Sequence, residues 1–180
     1  MTETYYNAAC PSPLGTLTLQ SDGAALTGLW LEGQRYFGGA RFAAGQEIIW
    51  LDSPARQPVL AQTEAWLNRY FAGEAPGPTP PLEPRGTPFQ KAVWLLLGKI
   101  PYGETTSYSA LAAAMEQQTG RRVSARPVGG AVGRNPISIL MPCHRVVGKD
   151  GRLTGYAGGL ERKSWLLQWE QAHAGSDKPK

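Results

Sequence analysis

The sequence predicts an α+β protein, in which a small strand-rich N-terminal domain precedes a mostly helical C-terminal domain. Apolar and polar residues alternate through residues 14–31, which is the period of a β-strand. Beyond residue 88, apolar residues recur at helical spacing instead. Six prolines from Pro76 to Pro88 separate the two patterns, and such a run sustains neither a helix nor an inner strand. The predicted division is an α/β domain at 1–74, a linker at 75–87, a second domain at 88–171 and a disordered tail at 172–180.

Two strand segments and one helix are predicted before the linker. The segment LGTLTLQSDGAALTGLWL, residues 14–31, turns at Ser21-Asp22-Gly23 and indicates a β-hairpin. Residues 48–51, IIWL, are predicted as a short strand. Leucine, tryptophan, tyrosine and phenylalanine recur between residues 60 and 71 and are followed by Gly73, which indicates a helix.

After the linker, Thr87 can cap a helix whose first residue is Pro88. A second helix, 108–118, begins at the capping residue Ser107 and is closed by Gly120.

A third helix is predicted over 124–135, with Pro127 in its first turn, and a last one over 158–172. The helices at 108–118 and 124–135 have the outline of a helix-turn-helix, and the second of them is rich in glycine and alanine. The small-residue surface lets another backbone approach closely.

Composition excludes several classes of protein. The chain has 180 residues with 42% hydrophobic and 18% charged residues, as in a globular protein. It contains no apolar run long enough to span a membrane and no basic segment leading into an apolar core, so neither a membrane protein nor a secreted one is predicted. With two cysteines and no secretion signal, free thiols and a cytoplasmic location are expected.

Charge is distributed unevenly along the chain. Residues 1–84 carry four basic and eight acidic side chains, whereas residues 85–180 carry fourteen basic and six acidic ones. The net charges are therefore −4 and +8. A basic half of this kind favours a polyanionic partner, although charge alone does not separate nucleic acid from an acidic small molecule.

The stretch ILMPCHRVVG, residues 139–148, holds the candidate nucleophile Cys143. Residues 137–140 are predicted as a short apolar strand, and Pro142 ends regular pairing, so Cys143 is expected at an accessible turn. A cysteine reacts as its thiolate and needs a group to take its proton. His144 is adjacent, but neighbouring side chains on an extended backbone point in opposite directions, so contact requires a bend or a bridging water.

A histidine base needs an acceptor behind it, and the last helix offers Glu161 and Glu170. The spacing does not choose between them. The alternative interpretation of Cys143 is a buried core cysteine that takes no part in chemistry. Cys10 has no histidine near it in the sequence, so a structural role is predicted for that cysteine. Two cysteines and two histidines show no metal-ligand spacing, and no metal or other cofactor is predicted.

Four segments together resemble the O6-alkylguanine-DNA alkyltransferase family, also called methylated-DNA–protein-cysteine methyltransferases, in its bacterial form. They are FQKAVW, ARPVGGAVGRNP, PCHRVV and GYAGGLERKSWLL, and they cover residues 86–171 in the family's order. The N-terminal part resembles, less specifically, the first domain of bacterial members, which is ribonuclease-H-like. The resemblance implies repair of duplex DNA in which the alkylated base is flipped out and its O6-alkyl group passes irreversibly to Cys143.

The resemblance also assigns roles to residues. His144 matches the water-linked base, Glu170 the carboxylate behind it, and Tyr108 the donor of a proton to the departing guanine. Arg126 matches the arginine that fills the space of the flipped base, Asn135 the hinge asparagine, and Lys163 a lysine near the site. The base pocket is expected from Met141, Pro142, Tyr156, Ala157 and Gly158, and the DNA-binding surface from Ala125, Arg126, Gly129, Gly130 and Arg134.

The family docks its helix-turn-helix in the minor groove, so that docking is expected here, by a monomer. The chain departs from the family in a longer turn that adds Arg121 and Arg122, either as further phosphate contacts or as a surface insertion. Pro127 also stands where a small residue is usual, and Ala157 lacks a hydroxyl that some members place beside the substrate.

Three other functions agree less well with these residues. A protein that binds alkylated DNA without chemistry lacks the acceptor cysteine, whereas Cys143 is present here. A helix-turn-helix regulator would explain the positive charge of residues 85–180 but gives no reason for the PCHR motif at residues 142–145. A cysteine peptidase would need His173 as its base, which lies in the polar tail.

Overall fold

The N-terminal part of the protein is a four-stranded sheet. The structure, a computed structural model, describes residues 2–38 and 45–175. The sheet has the order β3-β2-β1-β4, in which β4 runs parallel to β1 and the other pairs are antiparallel. The predicted hairpin and the strand near 48–51 are confirmed, whereas β1 was not predicted. The strands are β1 (Thr4–Ser12), β2 (Gly15–Ser21), β3 (Leu26–Leu31) and β4 (Glu47–Leu51).

Five α-helices complete the part of the fold that the structure describes, and the predicted α+β class is confirmed. Helix α1 packs on the sheet, and α2, α3, α4 and α5 follow it along the chain. Each capping residue named above acts as predicted: Thr87 forms a capping box with Gln90, Ser107 accepts from the Ala110 N–H, and Gly120 closes α3 with φ 64°. The helices are α1 (Pro58–Phe71), α2 (Pro88–Leu97), α3 (Tyr108–Thr119), α4 (Ala125–Gly133) and α5 (Leu160–His173).

One continuous apolar core joins the sheet to the helices. Leu29 of β3 bridges to Ile137, and the Trp94 indole N–H of α2 donates to the Ala131 carbonyl of α4 at 2.8 Å. A further bridge, between Leu26 and Leu82, attaches the proline-rich segment to β3. The division into domains at 74 and 88 stays a prediction. No helix within residues 2–38 and 45–175 is long and apolar enough to cross a membrane.

One predicted element is wrong. Residues 137–140 are not a strand: only Ile137 makes a bridge, and the chain then turns because Ile139 adopts φ 70°. Helix α5 ends at His173, whose imidazole packs on the Trp169 ring with centroids 4.2 Å apart, and the disordered tail at 172–180 stays a prediction. Residues 176–180 of the predicted tail lie outside the described residues.

Candidate functional site

The turn that leads into Cys143 is held by Asn135. The Asn135 amide donates to the Met141 carbonyl at 2.7 Å, and its oxygen accepts from the Ile137 N–H at 3.0 Å, so one side chain closes both ends of the turn. Within it Ile139 has φ 70°, a left-handed conformation that is costly for a β-branched residue. The surrounding structure must therefore impose this turn.

Cys143 opens a short 3-10 helix, Cys143–Arg145, which leads into strand β6 (Val146–Val147). Strand β6 pairs in parallel with β5 (Thr106–Ser107), just before α3. The prediction that Cys143 lies at an accessible turn is wrong. Its side chain is only 5% exposed, because the turn packs into the core.

Two opposing effects act on the pKa of the Cys143 thiol. Burial raises it, and this is the larger effect. The Asn135 amide, the positive charge of Lys163 and the backbone N–H groups of Cys143 and His144 act in the opposite direction, because they stabilise the thiolate. The thiol is therefore protonated at rest, in surroundings arranged to accept its anion.

His144 is fully buried and bonded to the carboxylate of Glu170. Its Nε2 lies 2.6 Å from Glu170 Oε1. Burial lowers the pKa of His144, and the charges of Arg145 and Lys163 act in the same direction, whereas Glu170 opposes them. The imidazole is consequently neutral at neutral pH. Because Nε2 faces an ionised carboxylate it carries the hydrogen, which leaves Nδ1 as the acceptor.

Glu170 is the centre of a buried hydrogen-bond network. Arg145 approaches both carboxylate oxygens, with Nε 2.7 Å from Oε2 and its NH2 group 3.0 Å from Oε1. The Tyr70 hydroxyl donates to Oε1 at 2.7 Å, and the Gly103 N–H donates to Oε2 at 3.3 Å. Burial favours the neutral acid, but the hydrogen bonds from His144 and Arg145, the charge of Arg145 and, once it is protonated, that of His144 outweigh it and lower the pKa of Glu170 to about 2.

Lys163 holds the loop that follows β6. Its ammonium group is buried and donates to the carbonyls of Val146 at 2.6 Å, Thr154 at 2.9 Å and Gly155 at 3.3 Å. Burial lowers its pKa to about 8. One side chain of α5 thus fixes the 154–155 loop to the strand that begins two residues after the Cys143-His144 pair.

An open groove of about 460 Å³ lies between α4 and this loop. On the α4 side the groove is lined by small residues from each turn of the helix and by two exposed arginines, Arg126 and Arg134. All five residues predicted for the DNA-binding surface line it: Ala125, Arg126, Gly129, Gly130 and Arg134.

The predicted pocket residues divide into two groups. Tyr108, Tyr156 and Ala157 line the groove, and the Tyr108 hydroxyl donates to the Thr154 carbonyl at 3.2 Å. Gly158 packs instead beneath the loop, where a Cβ would lie 2.6 Å from Leu31 Cδ1. Met141 and Pro142 are buried in the turn before Cys143, and neither is among the residues that line the groove.

Several residues at the site were not predicted from the sequence. Arg145 adjoins the histidine and could have been suspected from its charge, but Tyr70 lies a hundred residues from Glu170 and carries no local signal. Arg35 and Tyr36 reach the groove from the end of β3, where the Arg35 N–H donates to the Ala157 carbonyl at 3.0 Å. The Arg134 guanidinium lies 4.8 Å from the Tyr36 ring centroid.

The described part of the chain, residues 2–38 and 45–175, contains no cluster of three or more histidine, cysteine, aspartate and glutamate side chains placed to bind a metal ion. Both cysteines are free and buried. The site is therefore a buried thiol followed directly in the chain by a histidine–carboxylate pair. Cys143 does not itself line the groove, but it lies close enough to act on Tyr108 and Tyr156, which do. Such an arrangement defines a protein that uses its own cysteine as a nucleophile beside a nucleic-acid-binding surface.

Comparison with known proteins identifies the family. Residues 88–172 match the family model described as 6-O-methylguanine DNA methyltransferase, DNA binding domain. The methylated-DNA–protein-cysteine methyltransferase of Haemophilus influenzae is 41% identical over 172 residues, which is 95% of this chain and 88% of that protein. The Mycobacterium bovis protein of the same name is 43% identical and covers 92% of both chains. The chain belongs to this family of DNA repair methyltransferases.

Solved structures agree with the family assignment. The crystal structure of Mycobacterium tuberculosis OGT in complex with DNA superposes with a TM-score of 0.76, at 39% identity, over 93% of this chain and 94% of that one. The O6-methylguanine-DNA methyltransferase of Pyrococcus kodakaraensis superposes with a TM-score of 0.57 at 25% identity, over 92% and 98% of the two chains. Both resemblances extend across the sheet as well as the helices.

Proposed function

We propose that this chain repairs duplex DNA by moving the alkyl group of O6-alkylguanine onto Cys143, once per molecule. The observation that carries the proposal is the hydrogen bond between His144 and the buried Glu170. His144 directly follows Cys143, which lies at the end of the turn that contains Ile139 at φ 70°. A cysteine kept only for core packing needs no histidine–carboxylate pair beside it.

The proton of the thiol leaves through His144. The Nε2–H bond to Glu170 fixes the tautomer in which Nδ1 is the acceptor, and Nδ1 has no hydrogen-bond partner among the described residues. Cys143 passes its proton through one water molecule to Nδ1, and the imidazolium is stabilised by Glu170. Asn135 and Lys163 lower the cost of the thiolate that forms.

The thiolate then attacks the alkyl carbon. A sulfur–carbon bond forms and the carbon–oxygen bond breaks, with its electron pair passing to the guanine. Tyr108, which lines the groove, supplies a proton to the departing guanine and makes it a better leaving group. The histidine proton returns to the tyrosine through solvent, so a thiol and an alkylguanine become a thioether and guanine. A thioether is a poor leaving group, and the reaction therefore stops after one turnover.

The substrate reaches the thiol by leaving the base stack. Rotating a nucleotide out of the duplex costs a few kcal/mol, and Arg126 offsets that cost by filling the vacated space. The small residues of α4 let the DNA backbone approach closely, which suits docking of the helix-turn-helix in the minor groove. Phosphate contacts dominate such binding and make it independent of sequence.

One acceptor and one DNA surface suffice in a monomer, and we propose that state. The two free thiols suit a reducing compartment, which favours the cytoplasm.

The test uses duplex oligonucleotide that contains one O6-methylguanine. Incubation should restore guanine in the DNA and add one methyl group to the protein, as seen by intact-mass measurement. Cys143→Ser should lose transfer and keep DNA binding, and the matched control Cys10→Ser should keep both, because Cys10 lies buried in β1 away from the groove. DNA binding without methyl transfer by the unmodified protein would instead favour a binding module.

A further inference from the structure

The catalytic network receives one side chain from the N-terminal half of the chain. Tyr70 lies in the last turn of α1, and its hydroxyl donates to Glu170 Oε1 at 2.7 Å. The same oxygen is 2.6 Å from His144 Nε2. The Arg145 Nη2 group lies 3.0 Å from it as well, so three donors share one carboxylate oxygen and the strength of each bond depends on the others.

Tyr70 is fixed in place on every side. It is fully buried, its ring stacks on Trp66 at 5.4 Å between centroids, and the rings of Phe71 and Tyr102 meet it edge-on. The Trp169 indole N–H donates to the Tyr70 carbonyl at 2.9 Å. Helices α1 and α5 are therefore connected twice, once in each direction, through Glu170 and its neighbour Trp169.

The hydroxyl of Tyr70 acts only as a donor here. Burial raises its pKa well above its ordinary value, and the charge of Glu170 adds to this effect, so it stays protonated. As a neutral donor it withdraws negative charge from Oε1 and restricts the rotation of the carboxylate. Both effects reach His144, whose Nε2 bond sets which ring nitrogen can accept the proton of Cys143.

We infer that Tyr70 is a positioning residue for alkyl transfer, which orients Glu170 and limits the basicity of His144. The inference rests on the proposed function of Cys143 and His144, and it makes the N-terminal half part of the reacting site. Without this hydroxyl, Oε1 carries more negative charge towards His144 and holds its imidazolium more strongly. Because only the neutral histidine accepts a proton, the acid limb of the rate profile moves to higher pH.

Other titratable and charged groups face this network, and Tyr70→Phe leaves all of them in place. Arg145 and Gly103 bind the same carboxylate, Lys163 and Cys143 act on His144 or on each other, and Tyr102 and Tyr156 feel the charge of Glu170. His173 contacts the Trp169 ring at the end of α5. A control must therefore remove a buried hydroxyl from the same cluster without removing a hydrogen bond to Glu170.

Tyr102→Phe is that control. The Tyr102 hydroxyl is buried beside the same network but has no hydrogen-bond partner among the described residues. Its ring lies at 6.0 Å from Tyr70, and phenylalanine keeps that contact. Tyr70→Phe and Tyr102→Phe therefore each remove one buried hydroxyl, and only the first removes a bond to Glu170.

The experiment measures the single-turnover rate of methyl transfer from an O6-methylguanine duplex, from about pH 5.5 to about pH 9, across the range in which a histidine titrates. For Tyr70→Phe we expect a plateau about five-fold lower, the equivalent of one lost hydrogen bond, and an acid limb displaced to higher pH. Tyr102→Phe should superimpose on the unmodified protein. Coincident profiles for the two variants would overturn the inference, and failure of the unmodified protein to transfer would overturn the proposed function itself.

A second substitution keeps the test sharp if Tyr70→Phe folds poorly. Replacing Tyr70 by 3-fluorotyrosine keeps the hydroxyl and makes it a stronger donor. The acid limb should then move to lower pH, opposite to the phenylalanine variant, and a shift to higher pH or none at all would contradict the assigned role.

Discussion

Replacing Glu170 by glutamine tests the network behind the thiol. The carboxylate accepts from Tyr70, His144, Arg145 and Gly103, and each of its oxygens faces more than one donor. The amide of glutamine has the same shape, but its NH2 group must take the place of one of the two oxygens and face the donors around it. At Oε2 it meets Arg145 and the Gly103 N–H. At Oε1 it meets the Nη2 group of Arg145, and His144 can accept from it only in the opposite tautomer, which removes the acceptor at Nδ1.

Two considerations set the size of the effect, and both include the interaction of Glu170 with Arg145. Arg145 is 6% exposed, and removing the partner of a buried charge costs about 3–5 kcal/mol. A carboxylate held at a pKa of about 2 rather than 4.5 contributes about 3 kcal/mol to stability at neutral pH. We therefore expect Glu170→Gln to lower the free energy of unfolding by about 3 kcal/mol.

The assay is urea denaturation followed by tryptophan fluorescence at several pH values. Because the pKa of Glu170 is depressed, its contribution is fully present above about 4.5 and is lost as the pH falls towards 2. The difference between the two proteins should shrink over that window. Glu161→Gln, an exposed glutamate on the same helix, is the control and should match the unmodified protein. A Glu170→Gln variant within about 1 kcal/mol of the unmodified protein at neutral pH would refute the reasoning.

Three further results are expected. Asn135→Ala removes both bonds that close the turn before Cys143, so urea denaturation should show a loss of about 1–3 kcal/mol, and an unchanged midpoint would mean that the turn holds without it. Arg126→Ala should slow transfer from duplex by about ten-fold or more yet spare transfer from a single strand, since only the duplex requires flipping; equal slowing of both would contradict this. Replacing the exposed Arg121 and Arg122 by alanine should reduce the salt dependence of DNA binding by about two phosphate contacts, and an unchanged slope would mark a surface insertion.

Much of the fold was predictable because local signals agreed with the final structure. The caps Thr87 and Ser107 and the terminator Gly120 each act within one turn of the chain, so their sequence neighbours suffice to identify them. Strand β1 was missed because its segment, TYYNAACPS, lacks clean alternation and is paired on both sides, by β2 and by the distant β4. Pairing of that kind depends on residues far along the chain.

The turn before Cys143 shows where local patterns fail. An apolar run such as residues 137–140 indicates a strand, but here its side chains enter the core from a turn with Ile139 at φ 70°. Only tertiary packing and the two bonds of Asn135 impose that conformation, and a sequence window contains neither.

The site itself was partly predictable. The adjacency of Cys143 and His144 was visible in the sequence, but spacing could not choose between Glu161 and Glu170, since both lie on the last helix. The fold resolves the contact, because Glu170 points inward to His144 whereas Glu161 is exposed in the first turn of α5. Tyr70 could not be anticipated, because its bond joins two helices from opposite ends of the chain.

The identity of the acceptor residue is tested most directly by peptide mapping after a single incubation with O6-methylguanine duplex in excess. The proposed chemistry predicts one methyl group per chain, found only on the peptide that contains Cys143, with Cys10 unmodified and no further methyl gained on longer incubation. A methyl group on Cys10, or repaired DNA with Cys143 left as a free thiol, would contradict it.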